Sequence, residues 1–246
     1  MNKKKNIAIS VRNLHISYKE LTTSSIRSSW SKRWKKVEEF EALRGVSFEV
    51  EEGKILGVIG KNGSGKSTLL RAIAGIFSPD KGSIDLHNNT VSLLSIGVGF
   101  NNKLTGYENI YLSGMLLGFS ESEIKNKEKD IIDFADIGKF IYKPVKTYSS
   151  GMYSKLAFAI TAILETDIIL IDEVLSVGDA KFKEKSYNKM KELISDDKRT
   201  VVIVSHSLGT IKELCDEVIW LNDGEIVDSG KPEEIIKKYK EFMEVE

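Results

Sequence analysis

The sequence predicts an α/β fold: a mixed, largely parallel sheet covered by helices, with a helical segment inserted into it. Three observations carry that reading. Residues 55–59, 168–171 and 201–204 are short, almost wholly apolar runs, the pattern of parallel strands covered on both faces. The first run leads into a glycine-rich loop and then into Leu69, Leu70, Ile73 and Ala74 at helical spacing. Between the first run and the other two, residues 97–166 keep an apolar period suited to helices, in Tyr107, Ile110, Tyr111 and Met115 and again in Ile131, Ile132, Phe134 and Ala135.

The loop after the first strand reads Gly60-Lys61-Asn62-Gly63-Ser64-Gly65-Lys66-Ser67, followed by Thr68. A strand, a glycine loop and a helix start in this order form a triphosphate cradle. Glycines let backbone N–H groups turn inward around phosphates, Lys66 reaches the terminal phosphates, and the Ser67 hydroxyl can join the shell of Mg²⁺. Four fixed positions of average usage match by chance in about one chain in a hundred of this length. The strand and helix on either side set this loop apart from an ordinary Gly-rich turn.

The other two strands end in polar residues, Asp172-Glu173 and Ser205-His206. Open α/β sheets place ligands at the carboxyl ends of their strands, so these residues are expected to gather at one rim. Asp172 is placed to hold Mg²⁺, directly or through water, and Glu173 to orient or deprotonate an attacking water. His206 is placed to sense the γ-phosphate and steady Glu173. Alone, each would read as surface or core decoration; the phosphate loop in the same chain reverses that.

Composition bounds what else the chain can be. The 246 residues are 41% hydrophobic, enough for a substantial core. Lys and Arg (36) balance Asp and Glu (36), so the chain as a whole carries no electrostatic mark of a nucleic-acid binder. Cys215 is the only cysteine, which excludes an intrachain disulfide and a cysteine-rich metal site and reads as a small buried residue. Lys3, Lys4 and Lys5 precede no apolar segment, so no secretory signal is expected. The longest apolar stretch, 156–164, is about half of what a bilayer-crossing helix needs. The chain is therefore expected to be soluble and cytosolic, or held at a membrane from outside.

Further motifs give the chain a family likeness. Tyr148-Ser149-Ser150-Gly151-Met152 stands where ATP-binding cassette (ABC) proteins carry their signature, usually Leu-Ser-Gly-Gly-Gln, 20 residues before Asp172 and ahead of a long helix. Ser176-Val177-Gly178-Asp179 resembles the D-loop, His206 the switch histidine, and Tyr18 the aromatic residue that stacks on adenine. All occur in family order over essentially the whole chain, which is identified as an ABC ATPase domain of the P-loop NTPase class. The resemblance implies Mg²⁺ and ATP, with Ser149, Ser150 and Gly151 serving the ATP held by a second copy of the chain. Two chains would pack head to tail with Asp179 near the junction. One domain is expected, with its core in about 6–96 and 167–246 and a helical subdomain in about 97–166.

The variant signature, the run from Val174 to Asp179, and Leu104-Thr105-Gly106-Tyr107-Glu108-Asn109-Ile110 look like bacterial subunits that export O-antigen, capsular polysaccharide or teichoic acid. So does the insertion at about 19–42, between Tyr18 and a strand expected to start near Val46. That resemblance implies a peripheral location on the cytoplasmic face of the membrane, membrane permease subunits as partners, and no nucleic acid. Another ABC transporter, or a soluble ABC ATPase acting as a mechanical switch, is the alternative. The family's usual glutamine after the second sheet strand is missing, since the chain contains no glutamine. By register its place falls near Ser95 or Ile96, and Ser95, Asn101 or a water would have to substitute.

The insertion carries Arg27, Lys32, Arg33, Lys35 and Lys36, with Ile26, Trp30, Trp34 and Val37 on one face at helical spacing. Tryptophans with basic neighbours suit a headgroup interface. An amphipathic helix touching the membrane or a membrane subunit is the preferred reading. A loop beside the adenine pocket, with Trp30 or Trp34 packed on the core, is the other. Residues 231–246 are expected to form a closing helix with Ile235, Ile236, Tyr239 and Phe242 on one face, to leave no length for a carbohydrate-binding domain, and to leave substrate choice to a membrane partner.

Overall fold

A computed structural model describes residues 6–19, 39–94, 99–172, 179–196 and 198–245. Strands β1 (Ile7–Lys19), β2 (Glu39–Glu51) and β4 (Lys81–Asp85) form an antiparallel sheet in the order β2-β1-β4. Strands β3 (Ile55–Ile59), β5 (Val91–Leu93), β6 (Ile168–Asp172), β7 (Thr200–Val204), β8 (Glu217–Asn222) and β9 (Glu225–Gly230) form the larger sheet in the order β5-β6-β7-β3-β8-β9. All its pairings are parallel except β8 with β9. The mixed, largely parallel sheet is as expected; the separate antiparallel sheet is an addition.

Burial explains the apolar runs. Along β6, Ile168 and Leu170 face one core and Ile169 and Ile171 the other. Along β7, Val202 and Val204 alternate in the same way with Val201 and Ile203. A strand covered on both faces has no solvent side on which to place polar residues. One core lies between the two sheets and encloses helix α1 (Lys66–Ile73), whose Leu69, Leu70 and Ile73 are completely buried. The other lies under α4 (Ser150–Leu164), α5 (Ala180–Ile194), α6 (Leu208–Leu214) and α7 (Pro232–Val245). Cys215 is buried here, and loss of hydration pushes its thiol up to about 12.

Between β5 and β6 the chain forms α2 (Gly106–Leu116), α3 (Glu121–Ala135), two 3₁₀ turns at Gly138–Tyr142 and Val145–Thr147, and α4. These share a third apolar cluster through Ile110, Ile124, Ile131, Leu156 and Ile160. Helix α4 belongs to two cores, because Phe158 and Ala162 face the large sheet while Leu156, Ala159 and Ile160 face α2 and α3. Capping boxes start α2 at Thr105/Glu108 and α3 at Ser120/Glu123. The Leu104–Ile110 motif thereby acquires a physical reading. Asn109, fully buried, accepts the Asn101 N–H at 2.7 Å and donates to the carbonyls of Asn101 and Thr105, fixing the loop ahead of α2.

One boundary differs from expectation. The strand expected near Val46 begins at Glu39, with Tyr18 opposite Phe40 and Ser17 opposite Glu41. Its pattern disguises it, because buried Ala42 and Leu43 stand next to one another where the register breaks between Ile16 and Ser17, flanked by Glu41 and Arg44, so no clean alternation marks the strand. The expected insertion therefore loses both ends to strands. Residues 20–38, with Ile26, Trp30, Trp34 and the basic positions between them, lie outside the described residues, as do Ser95 and Ile96.

Candidate functional site

The glycine loop owes its shape to two close approaches. At Gly60, with φ +155°, a β-carbon would come within 2.1 Å of the Leu221 carbonyl oxygen on β8. At Gly65, which starts α1 with φ +101°, it would lie 2.6 Å from the Ala42 carbonyl oxygen on β2. Only glycine allows that backbone contact at that φ. The β8–β9 turn clasps the loop from outside: the Gly224 N–H donates to the Ser64 carbonyl at 3.2 Å, and the Arg44 N–H to the Gly224 carbonyl at 2.8 Å. The loop is thus held by both sheets.

Inside it, Lys66 is buried, and its ammonium donates to the carbonyls of Gly60 at 2.9 Å and Lys61 at 2.6 Å. Ser67 Oγ donates to Asp172 Oδ1 at 3.2 Å. That contact follows from topology: α1 runs from the end of β3, and β6 ends two strands away across β7. Two hard oxygen donors side by side are a donor set suited to Mg²⁺, which takes oxygen ligands and keeps several waters. Among the described residues no group of three or more His, Cys, Asp and Glu forms a metal cage.

A cleft of about 280 Å³ opens over this loop. It is lined by Asn62, Gly63, Gly65, Lys66, Ser67 and Thr68, by Asp172 and His206 at the ends of β6 and β7, and by Tyr18 and Phe40 on β1 and β2. Tyr18 meets Thr68 Oγ1 through its hydroxyl at 3.0 Å and stands edge-on to Phe77, with ring centroids 5.8 Å apart. Of the expected residues, Asn62, Gly63, Gly65, Lys66, Ser67, Thr68, Tyr18, Asp172 and His206 thus share one cleft, while Gly60, Lys61 and Ser64 are not in its lining. Phe40, 55% exposed beside Tyr18, was not anticipated. No local signal marks it, because its place depends on strand register. Glu173 and residues 174–178 lie outside the described residues.

A second polar surface is built from Ser149, Ser150, Gly151, Ser154, Lys155 and Asp179. Ser149 caps α4, its Oγ accepting the Met152 N–H at 3.2 Å, so the small residues of the signature surround a helix N-terminus. Tyr148, where the family usually has leucine, donates its hydroxyl to the Phe140 carbonyl at 2.7 Å. Asp179 caps α5 by accepting the Phe182 N–H at 3.0 Å, and its other oxygen accepts from the Lys155 ammonium at 2.6 Å. The Lys155 hydrogen bond, then the Phe182 N–H, holds the Asp179 carboxyl below the usual carboxylate range. The aspartate therefore stays ionised on acidification until pH falls through that lowered value. Lys155, three residues past Met152, is a second residue that motif reading did not single out.

The two surfaces have no lining residue in common. The phosphate loop and the signature of one chain are thus separate surfaces.

Known proteins resemble this chain in sequence and in fold. The model of the ABC transporter family matches residues 43–176, more than half of the chain. The teichoic acids export ATP-binding protein TagH of Listeria innocua is 44% identical over 241 residues, covering 97% of this chain and 71% of that protein. TagH of Bacillus anthracis is 48% identical over 202 residues, covering 82% of this chain and 36% of that protein. The O-antigen export system ATP-binding protein RfbB of Myxococcus xanthus is 43% identical over 202 residues, covering 82% and 46%. The chain thus spans between about a third and three quarters of the curated relatives it matches. Among solved structures, the ATP-binding cassette MJ0796, in a dimeric post-hydrolysis state bound to ADP and Pi, superposes with a TM-score of 0.68 at 23% identity. It covers 91% of this chain and 98% of that one, a likeness of fold.

Proposed function

Because the chain belongs to the ABC transporter ATP-binding family, we propose that it is the ATP-hydrolysing subunit of an exporter of a lipid-linked polysaccharide. The observation that carries the reading is the pair of separate half-sites on one chain. Two copies packed head to tail bring each phosphate loop against the other copy's Ser149, Ser150 and Gly151, so that two ATP molecules are enclosed between them. The dimeric ABC structures of the same fold support that arrangement, and the relatives' export names support the polysaccharide.

Each residue then has a task. The N–H groups of residues 61–66 and the Lys66 ammonium hold the phosphates, Tyr18 and Phe40 offer ring surface to the base, and Thr68 stands beside them. Ser67 and Asp172 would hold Mg²⁺, which would supply positive charge to offset that of the phosphates. Glu173 takes the proton from the water that attacks the γ-phosphorus as the bond from that phosphorus to the bridging oxygen breaks and ADP leaves, and His206 steadies the glutamate. The signature helix N-terminus adds its dipole to the far side of the γ-phosphate. Closure and reopening of the dimer drive a pair of membrane permeases. Among the described residues no helix is long and apolar enough to cross a membrane, which suits a subunit held peripherally at the cytoplasmic face.

Lys155 ties the signature to Asp179, so its loss should disturb chemistry more than binding. Lys155→Gln is expected to lower kcat by about tenfold, with KM for ATP nearly unchanged and Lys155→Arg close to wild type. Steady-state phosphate release checks it; an equal rise in KM would place Lys155 in nucleotide binding instead.

The transport reading is tested by purifying tagged Glu173→Gln chain with ATP from detergent-solubilised membranes of its own host. A multispanning protein at equal stoichiometry is expected by mass spectrometry. Recovery only from the soluble fraction, with a cytosolic partner, would keep the ATPase and overturn export in favour of a mechanical switch. Co-purification with a permease of another substrate class would assign a different ABC transporter.

A further inference from the structure

We infer that Phe242, on the last helix, is a positioning residue for the phosphate loop and acts through Lys61. The Lys61 ammonium lies over the Phe242 ring, 4.9 Å from its centroid. The same ring packs at 61° against Trp220, with centroids 5.0 Å apart, and Trp220 stands edge-on to Tyr239 at 5.6 Å. Trp220 is buried on β8, and the next residue, Leu221, carries the carbonyl against which Gly60 is packed. The stack is therefore anchored in the sheet that also anchors the start of the loop. A fixed ring helps to hold a long lysine side chain by the attraction of its electron-rich face for a cation.

What that restraint fixes is the backbone of Lys61. Its carbonyl oxygen accepts both the Ser64 N–H at 3.2 Å and the Lys66 ammonium at 2.6 Å. Rotation of Lys61 would swing that carbonyl and with it the lysine that reaches the phosphates. Loops whose geometry is set before binding lose less freedom when the ligand arrives. Helix α7 thus does more than cover the sheet: its outer turn helps shape the phosphate cradle, far along the chain from it. The assignment rests on the ATP-binding reading above.

The test is a double-mutant cycle in the full chain, with Mg·ATP binding measured by calorimetry and folding by thermal melting. Phe242→Leu is expected to raise the Kd for ATP by about threefold, the size of one half-exposed cation–π contact, with kcat unchanged. Phe242→Tyr, which keeps the ring, is expected to bind as wild type. In the Lys61→Met background, adding Phe242→Leu is expected to change Kd no further. The same threefold loss in both backgrounds, or an unchanged Kd in Phe242→Leu, would overturn the inference, because packing on Trp220 alone has no need of Lys61. If Phe242→Leu melts too early to assay, Lys61→Met with wild-type affinity would overturn it as well. A wild-type chain that binds no Mg·ATP would instead remove the ATP-binding reading itself.

Discussion

Lys66→Ala is expected to weaken Mg·ATP binding by about 100-fold while costing the fold only a few degrees of Tm. Lys66 is 6% exposed and its ammonium is held by two loop carbonyls, so it is already desolvated and aimed when phosphate arrives. Charge-assisted hydrogen bonds in such a setting contribute about 1.5–3 kcal/mol each, and the loss of that range corresponds to a factor of about 10 to 150 in affinity. The fold loses less, because the Lys61 carbonyl still accepts the Ser64 N–H. An unpaired Gly60 carbonyl costs about 1–2 kcal/mol, worth a few degrees in a chain of this size. Lys66→Arg should fail nearly as badly, since a planar guanidinium cannot sit between the two carbonyls as a compact ammonium does. Calorimetric titration decides: affinity within a few-fold of wild type would remove Lys66 from the phosphate site.

The second large effect is expected at Glu173, where Glu173→Gln should lower kcat by about 10²-fold or more and leave Mg·ATP affinity nearly intact. The glutamine keeps shape and hydrogen-bonding reach but cannot take a proton from water. Its position argues for the role. In sequence it is the residue after Asp172, and Asp172, whose Oδ1 accepts from Ser67, stands at the rim where β3 delivers the phosphate loop and β7 delivers His206. Single-turnover phosphate release with binding measured in parallel separates the cases. Wild-type turnover would show that another group accepts the proton, and a matching loss of affinity would place Glu173 among the ligands of the nucleotide.

Both predictions could be written from sequence, whereas those at Lys155 and Phe242 could not. Lys66 and Glu173 sit in motifs whose chemistry is local: a strand, a turn and a helix start within about a dozen residues, or a strand and the polar residue at its end. Lys155 became visible only when α4 and α5 met and set its ammonium 2.6 Å from Asp179. Phe40 needed the β1–β2 register to bring it beside Tyr18. The start of β2 was misplaced for a related reason. Where the register breaks beside Ala42, the charges at Glu41 and Arg44 read as the end of a loop until a partner strand supplies the pairing.

By itself the sequence determined the local units: the glycine loop between β3 and α1, the doubly buried strands, the capped helices α2, α3 and α4, and the order of the motifs. These follow from short-range forces, namely glycine's freedom at positive φ, caps for unpaired N–H groups, and the need of a covered strand for apolar residues on both faces. Only the tertiary structure decided which units meet. The order β5-β6-β7-β3-β8-β9 is not the order of the chain, and it brings Asp172 to Ser67 and His206 to the same cleft. It also seats Phe242 over Lys61 and splits off β1, β2 and β4 as a second sheet around α1. Those outcomes depend on which apolar faces best cover one another across long separations in the chain, and burial of that kind leaves no mark within any short window of residues.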